Sequence, residues 1–169
     1  MQKWAAVIAI IALGLVGTRS VAQTVDTDKI SELTRIDRDY LQRQRDAVDD
    51  LARRRLGRQL RKDKDNDLQV LQLLLDRRAV DPSDRSTLQA MGVVLGDRLG
   101  DELGLHWVIY EDSLGRSRAL RYRDSDTLLY PVTMISRRVE VGAEADVDSI
   151  YDKAVTAITP ALPPRPFQY

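Results

Sequence analysis

The acidic side chains between Asp97 and Asp112 are the residues with the most chemical reach. Asp97 and Asp101 stand one helical turn apart, Glu102 follows, and Glu111-Asp112 form a second pair. Two carboxylates held close together can cleave a glycosidic bond or hold a divalent ion. The same spacing also makes a solvated helix face, balanced here by Arg98. His106 is the only histidine, and it sits beside Trp107. Nucleophilic hydrolysis needs an activated Ser, Cys or Thr beside a base. The chain has no cysteine and no nucleophile-elbow motif. Zinc wants several His or Cys ligands, and the sequence has neither a phosphate-binding glycine loop nor a dinucleotide fingerprint. Asp63-Lys64-Asp65-Asn66-Asp67 opens like a calcium loop. It fails because Leu68 stands where glycine is needed and Leu74 where a bidentate glutamate is needed. No catalytic residue, metal ligand or cofactor is assigned. Arg137-Arg138, with Arg121 and Arg123, could clamp an acidic group, or could be the charges that keep an edge strand from pairing.

The elements that must position these residues run from Leu88 to Arg138. Asp81-Pro82-Ser83-Asp84 is a helix start, with Asp81 as N-cap and proline at the first helical position. Leu88, Met91, Leu95, Leu99 and Leu103 recur at three- and four-residue spacing and form one apolar stripe. Gly104 is placed to close the helix in the left-handed conformation. Gly92, Gly96 and Gly100 lie on one line of this helix, and each costs about 1 kcal/mol of helix propensity relative to alanine. A smooth line of glycine admits another backbone closely, so it predicts either internal packing or a seat for a ligand or partner. His106 to Tyr110, Ala119 to Arg123 and Leu128 to Tyr130 are three short strand patterns separated by turn residues. Strands joined by such short turns must be antiparallel. After Pro131, Val132 to Val139 fits a strand or a short helix, with the helix slightly favoured.

Upstream, Asp28 to about Gln59 reads as one long charged helix with a narrow seam through Ile30, Leu33, Tyr40, Leu41, Val48, Leu51 and Ala52. Asp37 and Gln44 fall on the seam's heptad positions, which gives a strict coiled coil little support. The basic run Arg53-Arg54-Arg55, with Arg58, Arg61 and Lys62, is either a solvated face or a dock for an acidic partner or anionic lipid. Leu68 to Arg78 is a further helix, N-capped by Asp65 or Asp67. Asp146 caps a last one, Val147 to Ile158. Residues 159–169 form a proline-rich tail. Residues 1–22 read as a signal peptide: Lys3, then an apolar run Trp4–Val16 shorter than the roughly 20 residues that span a bilayer, then Ser20-Val21-Ala22 with cleavage after Ala22. These residues hold two of the 26 basic side chains and none of the 26 acidic ones. What remains is slightly acidic, without the global positive field that nucleic acid requires.

The segments DLQVLQLLLD, LQAMGVVLGDRLGDELGLHWVIYEDSLGRSRALRY and LLYPVTMISRRVEVG together resemble the bacterial domain of unknown function 3806. The resemblance extends from about Asp28 to Ile158. It is carried by Leu95, Gly96, Asp97, Leu105, Trp107, Glu111, Asp112, Gly115, Pro131, Met134, Ile135, Arg137 and Arg138. It implies a class of protein and no mechanism.

The sequence therefore predicts an α+β domain over residues 23–158. A small antiparallel sheet of about three strands packs against helices, with a long N-terminal helix across it. The candidate functional surface is Gly92, Gly96, Gly100, His106, Trp107, Glu111, Asp112, Arg137 and Arg138. The expected role is a non-enzymatic periplasmic interaction or accessory module with a protein partner in the cell envelope. The competing roles are a hydrolase or ion-binding protein using Asp97, Asp101, Glu111 and Asp112, and an envelope protein docked by its basic helix.

Overall fold

The computed structural model describes residues 28–163. The expected signal peptide, residues 1–22, and the end of the tail, residues 164–169, lie outside them. The chain forms β1 (Lys29–Glu32), α1 (Arg35–Leu56), α2 (Lys64–Asp76), α3 (Arg85–Leu103), β2 (His106–Asp112), β3 (Gly115–Arg121), β4 (Leu128–Leu129), a 3-10 turn (Pro131–Thr133), α4 (Met134–Glu140) and α5 (Val147–Ile158). The expected α+β architecture is present, with one antiparallel sheet in the order β1-β2-β3-β4. The segment after Pro131 is helical, entered through the 3-10 turn.

The sheet has one strand more than the three expected, because the long N-terminal helix does not begin at Asp28. Thr34 is extended, and its hydroxyl accepts from the Asp37 backbone N–H while Asp37 accepts from the Thr34 backbone N–H. This reciprocal cap starts the helix at Arg35. The residues before it are then free to pair, Ile30 opposite Tyr110 and Lys29 opposite Glu111. Gly57 closes α1 in the left-handed conformation.

Two other helix starts also differ from expectation. Asp63, not Asp65 or Asp67, caps α2 by accepting from the Asn66 backbone N–H at 2.8 Å. Asp84, not Asp81, caps α3 by accepting from Thr87. Asp81 instead accepts from Ser83 and shapes the turn before the helix. In both cases several adjacent acids could cap, and the turn geometry selects one.

Helix α3 is the axis of the domain. Beyond the expected stripe it also buries Ala90, Val93 and Val94, because it touches α1, α2, α4, α5 and the 3-10 turn. The seam of α1 is covered within the chain: Leu41, Val48 and Ala52 are buried, and α1 packs on α3 and α2. Leu68, Leu71 and Leu74 of α2, Ile150, Ala154 and Ile158 of α5, and Leu120 and Leu129 of the sheet complete one continuous core. Among the described residues no helix is long and apolar enough to cross a membrane.

Candidate functional site

The glycine line of α3 is filled from inside the protein. A Cβ on Gly92 would stand 2.4 Å from the Val132 carbonyl oxygen and 2.6 Å from that of Pro131. One on Gly96 would stand 2.5 Å from the Trp107 ring and 2.7 Å from the Pro131 ring. At Gly100 the nearest atom is the Leu105 carbonyl oxygen, at 3.2 Å. The absent side chains let the 3-10 turn and Trp107 lie directly on the helix backbone, so the seat is taken by the chain's own Pro131 and Trp107.

The acids of the candidate set do not converge. Asp97 takes a two-pronged hydrogen bond from Arg45, at 2.6 and 2.9 Å, and a third from the Trp107 indole N–H at 3.0 Å. It thereby ties α1, α3 and β2 together. Asp101 pairs with Arg98 at 2.8 Å. Both line a polar cleft of about 420 Å³ between α1, α2 and α3. Asp112 sits at the far end of β2 and accepts from the Leu114 and Gly115 backbone N–H groups, closing the β2–β3 turn. Glu111 lies opposite Lys29 and Arg116 in the sheet. Glu102 accepts from the Tyr151 hydroxyl at 2.7 Å and pairs with Lys64 at 3.1 Å. His106 is exposed, 4.0 Å from Glu32, while its neighbour Trp107 reaches the cleft instead, as alternation along a strand requires. Among the described residues no group of three or more His, Asp or Glu is placed to hold a metal ion. Asp97 and Asp101 share that cleft but each is held by an arginine, and Glu111 and Asp112 stand away from it at the end of β2, so the four acids do not assemble into one site.

Two buried carboxylates outside the candidate set hold arginines within the fold. Asp37 is fully buried and accepts from Arg116 at 2.9 and 2.7 Å and from Arg118 at 3.0 Å. The hydrogen bond from Arg116 holds its carboxyl well below the usual carboxylate range. It outweighs the opposing effect of burial, and Thr34 adds to it. Arg118 also lies over the Tyr40 ring at 3.9 Å. Asp67 accepts from the Arg61 backbone N–H at 2.8 Å and faces Arg98, which is 5% exposed, at 3.5 Å. Buried charges survive only when paired in this way. The one sequence signal was Asp37 breaking an apolar seam. Its partners lie 79 and 81 residues away, beyond any local pattern.

Arg137 and Arg138 stand elsewhere, on an apolar groove of about 530 Å³ between β4, α4 and α5. Leu128, Leu129, Met134, Ile150 and Ala154 form its walls. Arg137, Arg138 and Lys153 line it too, and no acid does. Among the described residues none of these three cations makes an ion pair. Val141, 78% exposed, stands at the same groove. Arg121 is not part of it: its guanidinium braces the β3–β4 turn by donating to the Ser125 and Asp124 carbonyls. Of the basic run at the end of α1 and the loop after it, Arg53 pairs with Asp49 and Arg58 donates to Gln69.

Residues 67–151 match the family described as Domain of unknown function (DUF3806). That span is narrower than the resemblance read from the sequence, and leaves β1 and α1 outside it. No curated protein matches the chain. Among solved structures, a crystal structure from Bacteroides thetaiotaomicron VPI-5482 is similar, with a TM-score of 0.69 and 16% identity. The likeness covers 76% of this chain and 47% of that one, so the chain spans about half the length of its structural relative. At that identity it speaks to the fold alone.

Proposed function

The chain belongs to the family described as Domain of unknown function (DUF3806), and within it we propose that this protein works by binding, as a non-enzymatic interaction module of the cell envelope. One observation carries the reading. Asp37, Asp67, Asp97 and Asp112 serve as clasps and turns inside the fold, whereas the apolar groove keeps three cations with no acid on its walls. A cation that met no structural need would be free to turn to solvent. Three beside one apolar groove form a surface suited to a partner. The periplasm is the proposed location, supported by the charged start, short apolar run and small-x-small site within residues 1–22.

A photo-crosslinking phenylalanine analogue at position 141, with a second variant at exposed Leu114 as control, tests the reading in the native cell. Adducts with another protein are expected at 141 and not at 114. Recovery of only the unmodified chain at 141 refutes it. Amino-terminal sequencing of the exported protein tests the location, with Gln23 expected as the first residue.

A further inference from the structure

We propose that the groove between β4, α4 and α5 receives an acidic amphipathic helix of a partner protein, its apolar face against Leu128, Met134 and Val141 and its acids against Arg137, Arg138 and Lys153. The inference rests on the binding reading above and adds the chemistry and shape of the partner.

Three observations lead to it. The first is charge. The charged side chains on the groove walls, Arg137, Arg138 and Lys153, are all cations, and none is ion-paired among the described residues. The nearest acid of α4, Glu140, is already taken by Arg85 at 2.9 Å. An anionic occupant would gain attraction from each side without having to displace an existing pair.

The second is the disposition of those charges. Arg137 and Arg138 come from α4 and Lys153 from α5, so cations stand on both walls of an apolar floor. A single-chain amphiphile needs one closed apolar slot with its charge at one end. This groove instead carries its cations on two sides, from α4 and from α5. At Arg137 it meets a second cavity of about 520 Å³ with Tyr110, Arg116 and Asp112 on its walls, and Tyr130, Thr133 and Arg137 line both. A helix with an apolar stripe flanked by acids on both sides matches that layout.

The third is relief. Ala154 and Ala157 are the residues that α5 turns toward the groove beside Ile150 and Lys153. Short side chains there lower that wall and let another helix approach to the 8–10 Å axis separation typical of packed helices. Val141 stands 78% exposed at the groove, and such an apolar side chain would be covered by the arriving stripe.

The test is calorimetric titration of the full chain with synthetic peptides of about 15 residues. One carries leucines at i, i+3, i+4 and i+7 flanked by glutamates; a second has the same leucines flanked by lysines. Laurate is the third probe. The glutamate peptide is expected to bind, with affinity that falls as salt rises, and the lysine peptide is not. The double substitution Arg138→Glu/Lys153→Glu should weaken the glutamate peptide by about tenfold or more and let the lysine peptide bind. Lys153→Glu alone, on an exposed turn of α5, gives a second variant should the double one fail to fold. It should shift the preference in the same direction by a smaller factor. Equal binding of both peptides, no effect of charge reversal, or binding of laurate in place of the peptide overturns the proposal. If no peptide binds while the adduct at position 141 still forms, this inference falls and the binding reading stands. If both fail, both fall.

Discussion

Replacing Gly92 by alanine sets two opposed effects against each other, and the structure decides between them. In an isolated helix the change would stabilise by about 1 kcal/mol. Here the new methyl would meet the Val132 carbonyl oxygen at 2.4 Å, the Pro131 oxygen at 2.6 Å and the Val132 carbonyl carbon at 2.8 Å. All three are backbone atoms, so no side chain can rotate away. The 3-10 turn would have to withdraw by about 1 Å to restore ordinary contact. Withdrawal would open a gap around Pro131, which also touches Gly96. Overpacking of this kind costs about 1–3 kcal/mol. The rigid obstacle puts Gly92 at the upper end, so the net loss should be roughly 2 kcal/mol after the propensity gain. That corresponds to a fall in Tm of about 6–8 °C for a domain of this size. Urea unfolding followed by circular dichroism measures it directly, with Gly100→Ala as the control. There the nearest atom is at 3.2 Å and the two effects should nearly cancel. A Gly92→Ala protein as stable as the wild type, or more so, would show that the turn is not seated on the helix.

Asp37→Asn should lower stability by about 1–3 kcal/mol in the same assay, since a neutral amide at this buried position weakens the charge-assisted hydrogen bonds from Arg116 and Arg118, whose own side chains keep some contact with water. The same residue predicts a pH dependence. Its carboxyl is depressed in the folded state, so its contribution is complete above the ordinary carboxylate pKa of about 4 and is lost as pH falls from there towards the lower folded value. Wild-type Tm should therefore decline below about pH 4, and Asp37→Asn should decline less steeply over that interval. Asp97→Asn should cost about 1–3 kcal/mol by weakening the Arg45 clasp and should shift the fluorescence of Trp107, whose indole N–H it holds. His106→Ala, at an exposed strand position, should change the unfolding midpoint by no more than about 0.5 kcal/mol in free-energy terms.

Local patterns were legible in the sequence wherever their cause was local. The α3 stripe, the left-handed glycine at 104, the Asp146 cap and the helix after Pro131 follow from neighbours within a turn or two. Strand β1 was not legible. Lys29–Glu32 is a charged edge strand with one half-buried residue, and its only reason to be a strand is Tyr110 and its neighbours across the sheet. Within the candidate site, Arg137 and Arg138 were visible as a pair. Lys153 and the apolar walls that give them a setting come from two other elements, so the groove itself was invisible. Asp97 was read as a possible acid catalyst because its helical spacing to Asp101 is visible in sequence and Arg45, 52 residues earlier, is not.

The clasp between Asp37 and the β2–β3 hairpin has a practical consequence for anyone choosing fragment boundaries. A polypeptide trimmed to residues 67–151 would lose the carboxylate that Arg116 and Arg118 close upon. It would also lose β1, leaving the backbone of β2 as a bare edge, and bare edges recruit other chains. Such a fragment should come out of the cell as aggregate. The matched span, residues 67–151, is thus shorter than the unit whose contacts close the fold, and α1 belongs to the second although it lies outside the first.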